Sequence, residues 1–320
     1  MCAIFGLLDF QEMLTPAQRR WLFRELANAA QIRGTDASGM AYVRNGAIQI
    51  QKAPRPASKM RWRIPPAARY LMGHTRMTTQ GAASRNYNNH PFSGNAGGQA
   101  FALAHNGVIH NDGELRETCA LPPALIETDS YIAVQLLKKI GSLTTTSLKQ
   151  MAELLEGSFT ITVLDTRNTV YFIKGNNPLT IRLLPGLGCY LYASTDEILE
   201  TALGRLGIAQ IPQTEIPIHQ GDIMTIDALG SRSLSSFDDA KLRPQGFFSC
   251  WDWCSPSKRA DFDEYLDAVL EYGQRHGVPE RELKLLLDAG YSAFDLEELI
   301  YDDQARASCI QDIMADFGVC

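Results

Sequence analysis

Short apolar runs separated by turn residues make up most of the first 235 residues. The first run, from Cys2 to Asp9, is apolar at nearly every position, and such a run predicts a strand buried on both faces. Asn45-Gly46 separates two later runs, and this dipeptide predicts a two-residue hairpin turn. The further predicted strands are Gly39–Arg44, Ala47–Lys52, Arg69–Thr75, Ala100–His105, Ser158–Leu164, Thr169–Lys174, Leu179–Leu184, Cys189–Ala193 and Asp222–Asp227.

Helix signals alternate with these strands. Thr15-Pro16 predicts a helix start, with Thr15 as N-cap and Pro16 in the first turn, ahead of an apolar stripe. Thr128 and Asp129 predict the start of a second helix, and Thr195–Leu206 predicts a third. From Asp261 onward the apolar spacing is helical only, so the pattern changes from mixed to all-helical along the chain.

Composition and charge divide the chain into three predicted regions. Residues 2–235 form a strand-rich domain, 236–260 form a linker that contains aromatic residues and cysteines, and 261–320 form an acidic helical domain. Residues 260–320 carry 15 acidic and 4 basic side chains, whereas the remainder has a mild basic excess that is not clustered. Neither part therefore has the charge pattern of a nucleic-acid-binding protein.

The bulk composition is that of a soluble protein, with 45% hydrophobic and 21% charged residues. No apolar run is long enough to span a bilayer, and the first residues lack the features of a signal peptide. The seven cysteines do not have disulfide-like spacing. These features predict a protein of the reducing cytoplasm that has no contact with a membrane.

Cys2 is the first candidate for chemistry. It follows Met1, which an aminopeptidase is expected to remove before a small side chain, and Cys2 would then carry a thiol and a free α-amine. An α-amine has a pKa near ~7.7–8.0 and can accept a proton at neutral pH. Nucleophile and base would then share one residue. The alternative is a small residue buried in the first strand.

Four later segments carry further candidates, each with an ordinary structural alternative. Residues 33–39 form a polar turn between two glycines. Residues 73–81 contain Arg76, which offers a planar fork to a carboxylate or lies on the surface. Asn106-Gly107 offers a side-chain amide and a backbone N–H to a developing oxyanion, or forms a β-turn. Asp129 is an N-cap or a partner for a ligand ammonium group.

The order and spacing of these segments are more specific than any one of them. The set is Cys2, Arg33-Gly34-x-Asp36, Gly73-His74-Thr75-Arg76, Asn88-x-His90-Pro91-Phe92, His105-Asn106-Gly107-x-Ile109 and Thr128-Asp129. It resembles the glutaminase domain of class II glutamine amidotransferases, such as those of glucosamine-6-phosphate synthase and amidophosphoribosyltransferase. The resemblance covers roughly residues 2–230 and implies an α+β fold, a four-layer α/β/β/α sandwich of the N-terminal-nucleophile hydrolases, followed here by a small all-helical region.

The resemblance also implies a role for each matching residue. Cys2 would attack the carboxamide of L-glutamine with its α-amine as base, and release ammonia and then glutamate through a γ-glutamyl thioester. Asn106 and Gly107 would stabilise the oxyanion. The substrate-side residues would be Arg76 for the α-carboxylate, Asp129 for the α-ammonium, Thr79 near them and Arg33 beside the nucleophile strand. The resemblance implies no cofactor and no metal, and the six histidines do not have ligand spacing.

Some positions depart from well-known members. Met77 follows Arg76 where an aromatic residue is frequent, and Gln80 stands where histidine or another polar residue is common, so the departures concern the segment that closes over glutamine in the family. The ~90 residues after the front domain are too few for a synthase domain, so the ammonia acceptor is expected on another chain. The acidic tail either docks such a partner or caps its own domain. Two rival functions are an N-terminal-nucleophile hydrolase for a different amide and a non-catalytic glutamine-binding or regulatory module.

Overall fold

A computed structural model describes residues 2–242, 266, 269–289, 296, 299–300 and 303–316. The chain divides into two compact units, Met1–Arg243 and Pro244–Cys320. The first unit therefore includes residues 236–242, which the sequence pattern assigns to a linker. Phe237 is buried there and Leu242 packs beside it, because both contact the apolar core that lies on the second sheet of this unit.

Two sheets form the centre of the first unit, and their described strands pair in the antiparallel sense. The strands of the first sheet, in spatial order, are β11 (Thr214–Glu215), β9 (Thr180–Leu184), β10 (Cys189–Ala193), β1 (Ala3–Asp9), β4 (Tyr70–Arg76), β2 (Ala37–Arg44) and β3 (Ala47–Ala53). Those of the second are β13 (Arg232–Ser236), β12 (Asp222–Ile226), β8 (Val170–Lys174), β7 (Gly157–Asp165), β6 (Gln99–Ile109) and β5 (Phe92–Ala96).

Helices cover the outer face of each sheet. Helices α1 (Pro16–Ala30) and α5 (Asp196–Arg205) pack on the first sheet. Helices α2 (Asp112–Thr118), α3 (Tyr131–Ile140) and α4 (Thr145–Leu154) pack on the second. A third apolar cluster lies between the two sheets. The prediction of an α+β fold is confirmed, and the layers run helix, sheet, sheet, helix.

The alternation of side chains along β1 shows how one strand serves two of these cores. Phe5 and Leu7 belong to the cluster under α1, whereas Ile4 and Leu8 belong to the cluster between the sheets. Successive side chains of a strand point to opposite faces, so a strand buried on both sides has to be apolar throughout. This explains the unbroken apolar run at the start of the chain.

Two local predictions are confirmed. Thr15 caps α1 in a capping box with Gln18, and Asn45 and Gly46 both have positive φ between β2 and β3. One alternative for Asn106-Gly107 is wrong, because these residues lie within β6 and pair with β7 instead of forming a turn. The sequence pattern also missed β5, β11, β13, α2 and α4.

The described part of the second unit contains helix and turn. Residues 269–275 are helical, and helix α6 spans Glu280–Asp288 after Pro279. Helix α7 spans Asp303–Asp316. Leu283 and Leu286 are buried in the apolar cluster of this unit. The aromatic residues of the predicted linker, at 247–254, and residues 290–295 of the predicted helical domain lie outside the described residues. Within the described ranges, no helix is both long and apolar enough to cross a membrane.

Candidate active site

Cys2 immediately precedes β1 and is half-buried. Its Sγ donates a hydrogen bond to the carbonyl of Met77 at 3.3 Å, and its own carbonyl accepts one from Arg33 Nε at 2.9 Å. Arg33 lies in the 3₁₀ turn Gln31–Arg33 that follows α1. The Arg33 side chain thus fixes the backbone of Cys2, and the backbone carbonyl of Met77 fixes its thiol.

The thiol of Cys2 is harder to ionise than an ordinary cysteine. Its removal from water raises its pKa above the ordinary value, and the negative charge of Asp129 adds to this increase. The Met77 hydrogen bond and the positive charge of Arg76 oppose it. Because only the thiolate is a strong nucleophile, chemistry at this sulfur requires a base.

Arg76 ends β4 and is 3% exposed. Its guanidinium donates to Asn89 Oδ1 at 2.7 Å, to the carbonyl of Gly81 at 2.7 Å and to that of Gln80. Arg76 therefore anchors the loop after β4, the same loop whose Met77 carbonyl receives the thiol hydrogen bond.

Gly34 allows the turn at residues 33–36 to approach this arginine. A Cβ at Gly34 would lie 2.5 Å from the carbonyl carbon of Arg76 and 2.6 Å from the Met77 nitrogen. The backbone N–H of Asp36 donates to the Arg76 carbonyl at 3.0 Å, and its carboxylate accepts from Thr78 N–H at 2.8 Å. The polar turn predicted from the sequence is thus a support for the start of the loop after β4.

Asn106 and Gly107 lie side by side on β6. Asn106 is buried, and its Nδ2 donates to Ser194 Oγ at 2.5 Å. Gly107 has φ of +126°, and a Cβ there would lie 1.9 Å from the Ser158 carbonyl oxygen. Only glycine fits such a backbone without displacement of β7.

Asp129 is 4% exposed and does not cap α3 with its side chain. Its Oδ2 accepts from the backbone N–H of Ile109 at 2.7 Å, and its Oδ1 accepts from the Ser130 hydroxyl at 3.3 Å. The N-cap alternative for Asp129 is wrong, because the carboxylate turns back toward the end of β6. Its orientation is therefore fixed by β6 and by Ser130.

Cys2, Arg76 and Asp129 are close enough for their charges to interact. Asp129 and Arg76 shift the pKa of Cys2 in opposite directions, and burial lowers the pKa of Arg76 while Cys2 and Asp129 both raise it. Thr79 is exposed in the loop after β4. The fold therefore gathers four predicted residues, Cys2 with Arg33, Arg76 and Asp129, and leaves Thr79 on the surface.

Three buried histidines lie beside these residues. The rings of His74 and His90 are tilted by 33° with their centroids 4.2 Å apart, and the ring centroid of His105 lies 6.4 Å from that of His90. Burial lowers the pKa of His74 to about 3 and lowers those of the other two. Across the described part of the chain, no group of three or more His, Cys, Asp or Glu side chains could hold a metal ion.

Sequence reasoning missed several residues that support this cluster. Ser194 contacts Asn106, Asn89 contacts Arg76, and Asn177 Nδ2 donates to the Asn106 carbonyl at 2.9 Å. A serine after a strand ordinarily indicates a helix start, so Ser194 carried no distinctive signal. Asn89, by contrast, is the unspecified position inside the motif at residues 88–92, so the motif itself was the signal that led to this segment.

Comparison with known proteins gives relatives for the first unit. No protein-family model matches the chain. A glutamine–fructose-6-phosphate aminotransferase of Geobacillus kaustophilus is 31% identical over 194 residues, 58% of this chain and 31% of the relative. The Halalkalibacterium halodurans protein of that name is 26% identical over 252 residues, 73% of this chain and 38% of the relative. The chain thus spans about a third of the length of these curated relatives.

Solved structures give the same result at the level of the fold. The glutamine phosphoribosylpyrophosphate amidotransferase of B. subtilis superposes with a TM-score of 0.58 at 18% identity, over 74% of this chain and 49% of that one. The structure described as the allosteric regulatory enzyme of purine biosynthesis gives 0.59 at 19% identity, with the same coverage. Sequence and fold together confirm that this chain resembles the class II glutamine amidotransferases, a family of enzymes.

Proposed function

We propose that the first unit hydrolyses the side-chain amide of L-glutamine, with Cys2 as the nucleophile. The observation that carries the proposal is the charge arrangement around this residue. A half-buried thiol interacts with the buried cation of Arg76 and the buried anion of Asp129. Free glutamine carries one charge of each sign at one end and a carboxamide at the other, and this pair of opposite charges suits it.

The reaction requires that Met1 be removed, so that Cys2 carries the chain's α-amine. This amine takes the thiol proton, and the sulfur attacks the carboxamide carbon. The amine then protonates the departing nitrogen, so ammonia leaves and a γ-glutamyl thioester remains. Water, deprotonated by the same amine, attacks the thioester, and glutamate leaves as the S–C bond breaks and the sulfur regains its proton.

Asn106 and Gly107 are the proposed oxyanion donors. Ser194 holds the side-chain amide of Asn106 at Nδ2, and Asn177 holds the backbone carbonyl of the same residue, so the donor is positioned before the substrate arrives. Fixed donors need no reorganisation when charge develops on the substrate oxygen, and removal of one donor typically costs about 2.7–4 kcal/mol of transition-state stabilisation. The conformation of Gly107 leaves no space for any other residue at this position.

Arg76 and Asp129 are the proposed partners of the amino-acid end. The Arg76 guanidinium already donates to two loop carbonyls, at Gln80 and Gly81. A substrate carboxylate is a stronger, charged acceptor, so its binding replaces these carbonyls and moves the loop that carries Thr79. Asp129 accepts one bond at each oxygen, and a carboxylate has acceptor capacity for about four, which leaves room for an ammonium group. Arg33 keeps the Cys2 backbone in place.

To test the proposal, the purified chain is incubated with L-glutamine, and the glutamate and ammonia that it releases are both measured. Equal amounts of the two products are expected, and Cys2→Ala is expected to abolish both. Cys119→Ser is the matched control, because Cys119 is also half-buried but lies at the end of α2. Intact mass should show loss of Met1, and a glutamine-like diazo ketone should add one label at Cys2.

The same assay separates the rival functions. Arg76→Ala is expected to raise KM for glutamine strongly, whereas Arg232→Ala on the exposed strand β13 is the control. An unchanged KM for Arg76→Ala would instead favour a hydrolase of a different amide. Glutamine binding without product formation would indicate a non-catalytic module.

We also propose that the ammonia serves an acceptor enzyme on another polypeptide, docked by the acidic residues 260–320. The net negative charge of this region supports a basic partner surface. Binding of the partner should weaken at high ionic strength, because salt screens exposed charges. Salt-independent binding would contradict an electrostatic dock.

A further inference from the structure

Ser194 is fully buried between β10 and α5, and its hydroxyl uses its whole hydrogen-bonding capacity. It accepts from the backbone N–H of Ile4 at 2.9 Å and from Asn106 Nδ2 at 2.5 Å. It donates to the carbonyl of Ile4 at 3.2 Å. A serine hydroxyl has one hydrogen and two lone pairs, so these three bonds leave no further partner available.

This hydroxyl connects the two sheets at the candidate site. Ile4 belongs to β1 of the first sheet and stands two residues after Cys2, whereas Asn106 belongs to β6 of the second sheet. The backbone N–H of Ser194 also donates to the Ile4 carbonyl at 2.9 Å. One small side chain therefore fixes the strand of the nucleophile relative to the amide that faces it.

Ser194 also determines whether the nitrogen or the oxygen of the Asn106 side-chain amide points toward its hydroxyl. Because its single hydrogen is directed to the Ile4 carbonyl, the hydroxyl presents a lone pair to Asn106, and a lone pair accepts from Nδ2 and repels Oδ1. The amide is thereby held with its nitrogen on the Ser194 side, and the second N–H of Nδ2 has a fixed direction. An oxyanion donor depends on such a fixed direction.

We infer that Ser194 is a positioning residue for amide hydrolysis: it holds the Asn106 amide in its donor orientation and at a fixed distance from the Cys2 strand. The inference rests on the proposed function and adds to it a residue that touches neither the substrate nor the thiol. A displacement of about 1 Å in a catalytic group lowers rates on the order of a hundredfold. Loss of the hydroxyl is therefore expected to reduce kcat by roughly ten- to a hundredfold.

Steady-state kinetics of Ser194→Ala with glutamine tests the inference. We expect kcat to fall while KM stays within about twofold, because Arg76 and Asp129 hold the amino-acid end independently of Asn106. Ser194→Cys keeps the shape of the side chain but replaces oxygen by the larger sulfur, a weak acceptor, and a similar kcat loss is expected. Ser147→Ala, which removes a buried hydroxyl from α4, is the matched control and should retain the wild-type rate.

A double-mutant cycle separates positioning from general damage. Asn106→Ala alone should lower kcat, and Ser194→Ala added to it should cause no further loss, because the group that it positions is then absent. An additional ten- to hundredfold loss in that background would indicate damage unrelated to Asn106. Alkylation of Cys2 by iodoacetamide, which needs no oxyanion donor, should proceed at the same rate in wild type and Ser194→Ala.

The two proposals fail in different ways. If the wild-type chain releases no glutamate, the proposed function itself is wrong. If the wild type is active and Ser194→Ala has an equal kcat, the role of Ser194 is overturned and the proposed function stands. A rise in KM at constant kcat would also overturn it, since the hydroxyl would then support substrate binding instead of the oxyanion donor.

Discussion

Three buried histidines, His74, His90 and His105, lead to a prediction that does not depend on catalysis. The free energy of unfolding of the first unit should decrease below pH 7. His74, His90 and His105 are 1–4% exposed, and neither ring nitrogen of His90 has a hydrogen-bond partner among the described residues. Burial lowers all three pKa values, and that of His74 falls to about 3. In the unfolded chain each imidazole has its ordinary pKa near ~6.5.

The sign follows from proton binding in the two states. Between pH 6.5 and the lowered native pKa, the unfolded chain binds more protons than the native one, so the free energy of unfolding decreases as pH falls. For His74, whose native pKa is about 3, this loss amounts to about 1.4 kcal/mol between pH 7.5 and 5.5. His90 and His105 add losses of the same sign, because burial lowers their pKa values too, and the stability of a typical domain is only about 5–15 kcal/mol.

Urea unfolding at pH 7.5, 6.5 and 5.5 measures this loss. The variant His90→Phe keeps an aromatic ring between His74 and Phe92 but cannot take a proton, so its free energy of unfolding should decrease less than that of the wild type over the same range. His219→Gln, which replaces an exposed histidine, is the control. Equal pH dependence in His90→Phe and wild type would refute the reasoning, as would a wild-type stability that is constant from pH 7.5 to 5.5.

Three further predictions concern the site. Gly107→Ala should abolish glutamine hydrolysis in the glutamate assay. In urea unfolding, it should lower the free energy of unfolding by more than Gly98→Ala does, because both glycines have positive φ but only at Gly107 would the added Cβ lie within 2 Å of another atom. Asn89→Leu removes the acceptor at 2.7 Å from Arg76, so KM for glutamine should rise on the order of tenfold while kcat changes less, and an unchanged KM would show that this contact does not position Arg76. A chain with a residue that cannot be cleaved before Cys2 lacks the proposed base and should release no ammonia, and persistent turnover would contradict the base.

Local sequence signals predicted most of the first unit because its strands and turns are specified locally. The apolar run of β1 and the Asn45-Gly46 turn each contain their own physical cause. Strand β13, Arg-Ser-Leu-Ser-Ser, has the composition of a loop and forms only because β12 pairs with it. Asn106-Gly107 is a turn by composition, but its pairing with β7 overrides that local preference.

The candidate site was predictable to the extent that its residues belong to motifs. The contacts that orient those residues were not, because they join positions far apart in the chain. Ser194 lies 190 residues from Ile4 and 88 from Asn106. Nothing in the sequence around Ser194 distinguishes it from an ordinary helix start. Motifs thus indicate which groups are present, whereas long-range packing determines where their hydrogen bonds point.

The positions of the buried polar groups connect stability to the proposed chemistry. Buried polar side chains are concentrated where β4 and β6 end near Cys2, and they include Arg76, Asn89, His105 and Asp129. Each buried polar group reduces stability unless it is hydrogen-bonded, and His90 and the Asn106 Oδ1 have no partner among the described residues. A core that served only stability would have apolar side chains at these positions, as the cluster between the two sheets has elsewhere. The histidines that make the protein sensitive to acid therefore lie in the same polar region as the charges and donors around the thiol, and variants that stabilise this region by apolar replacement should lose activity as they gain stability.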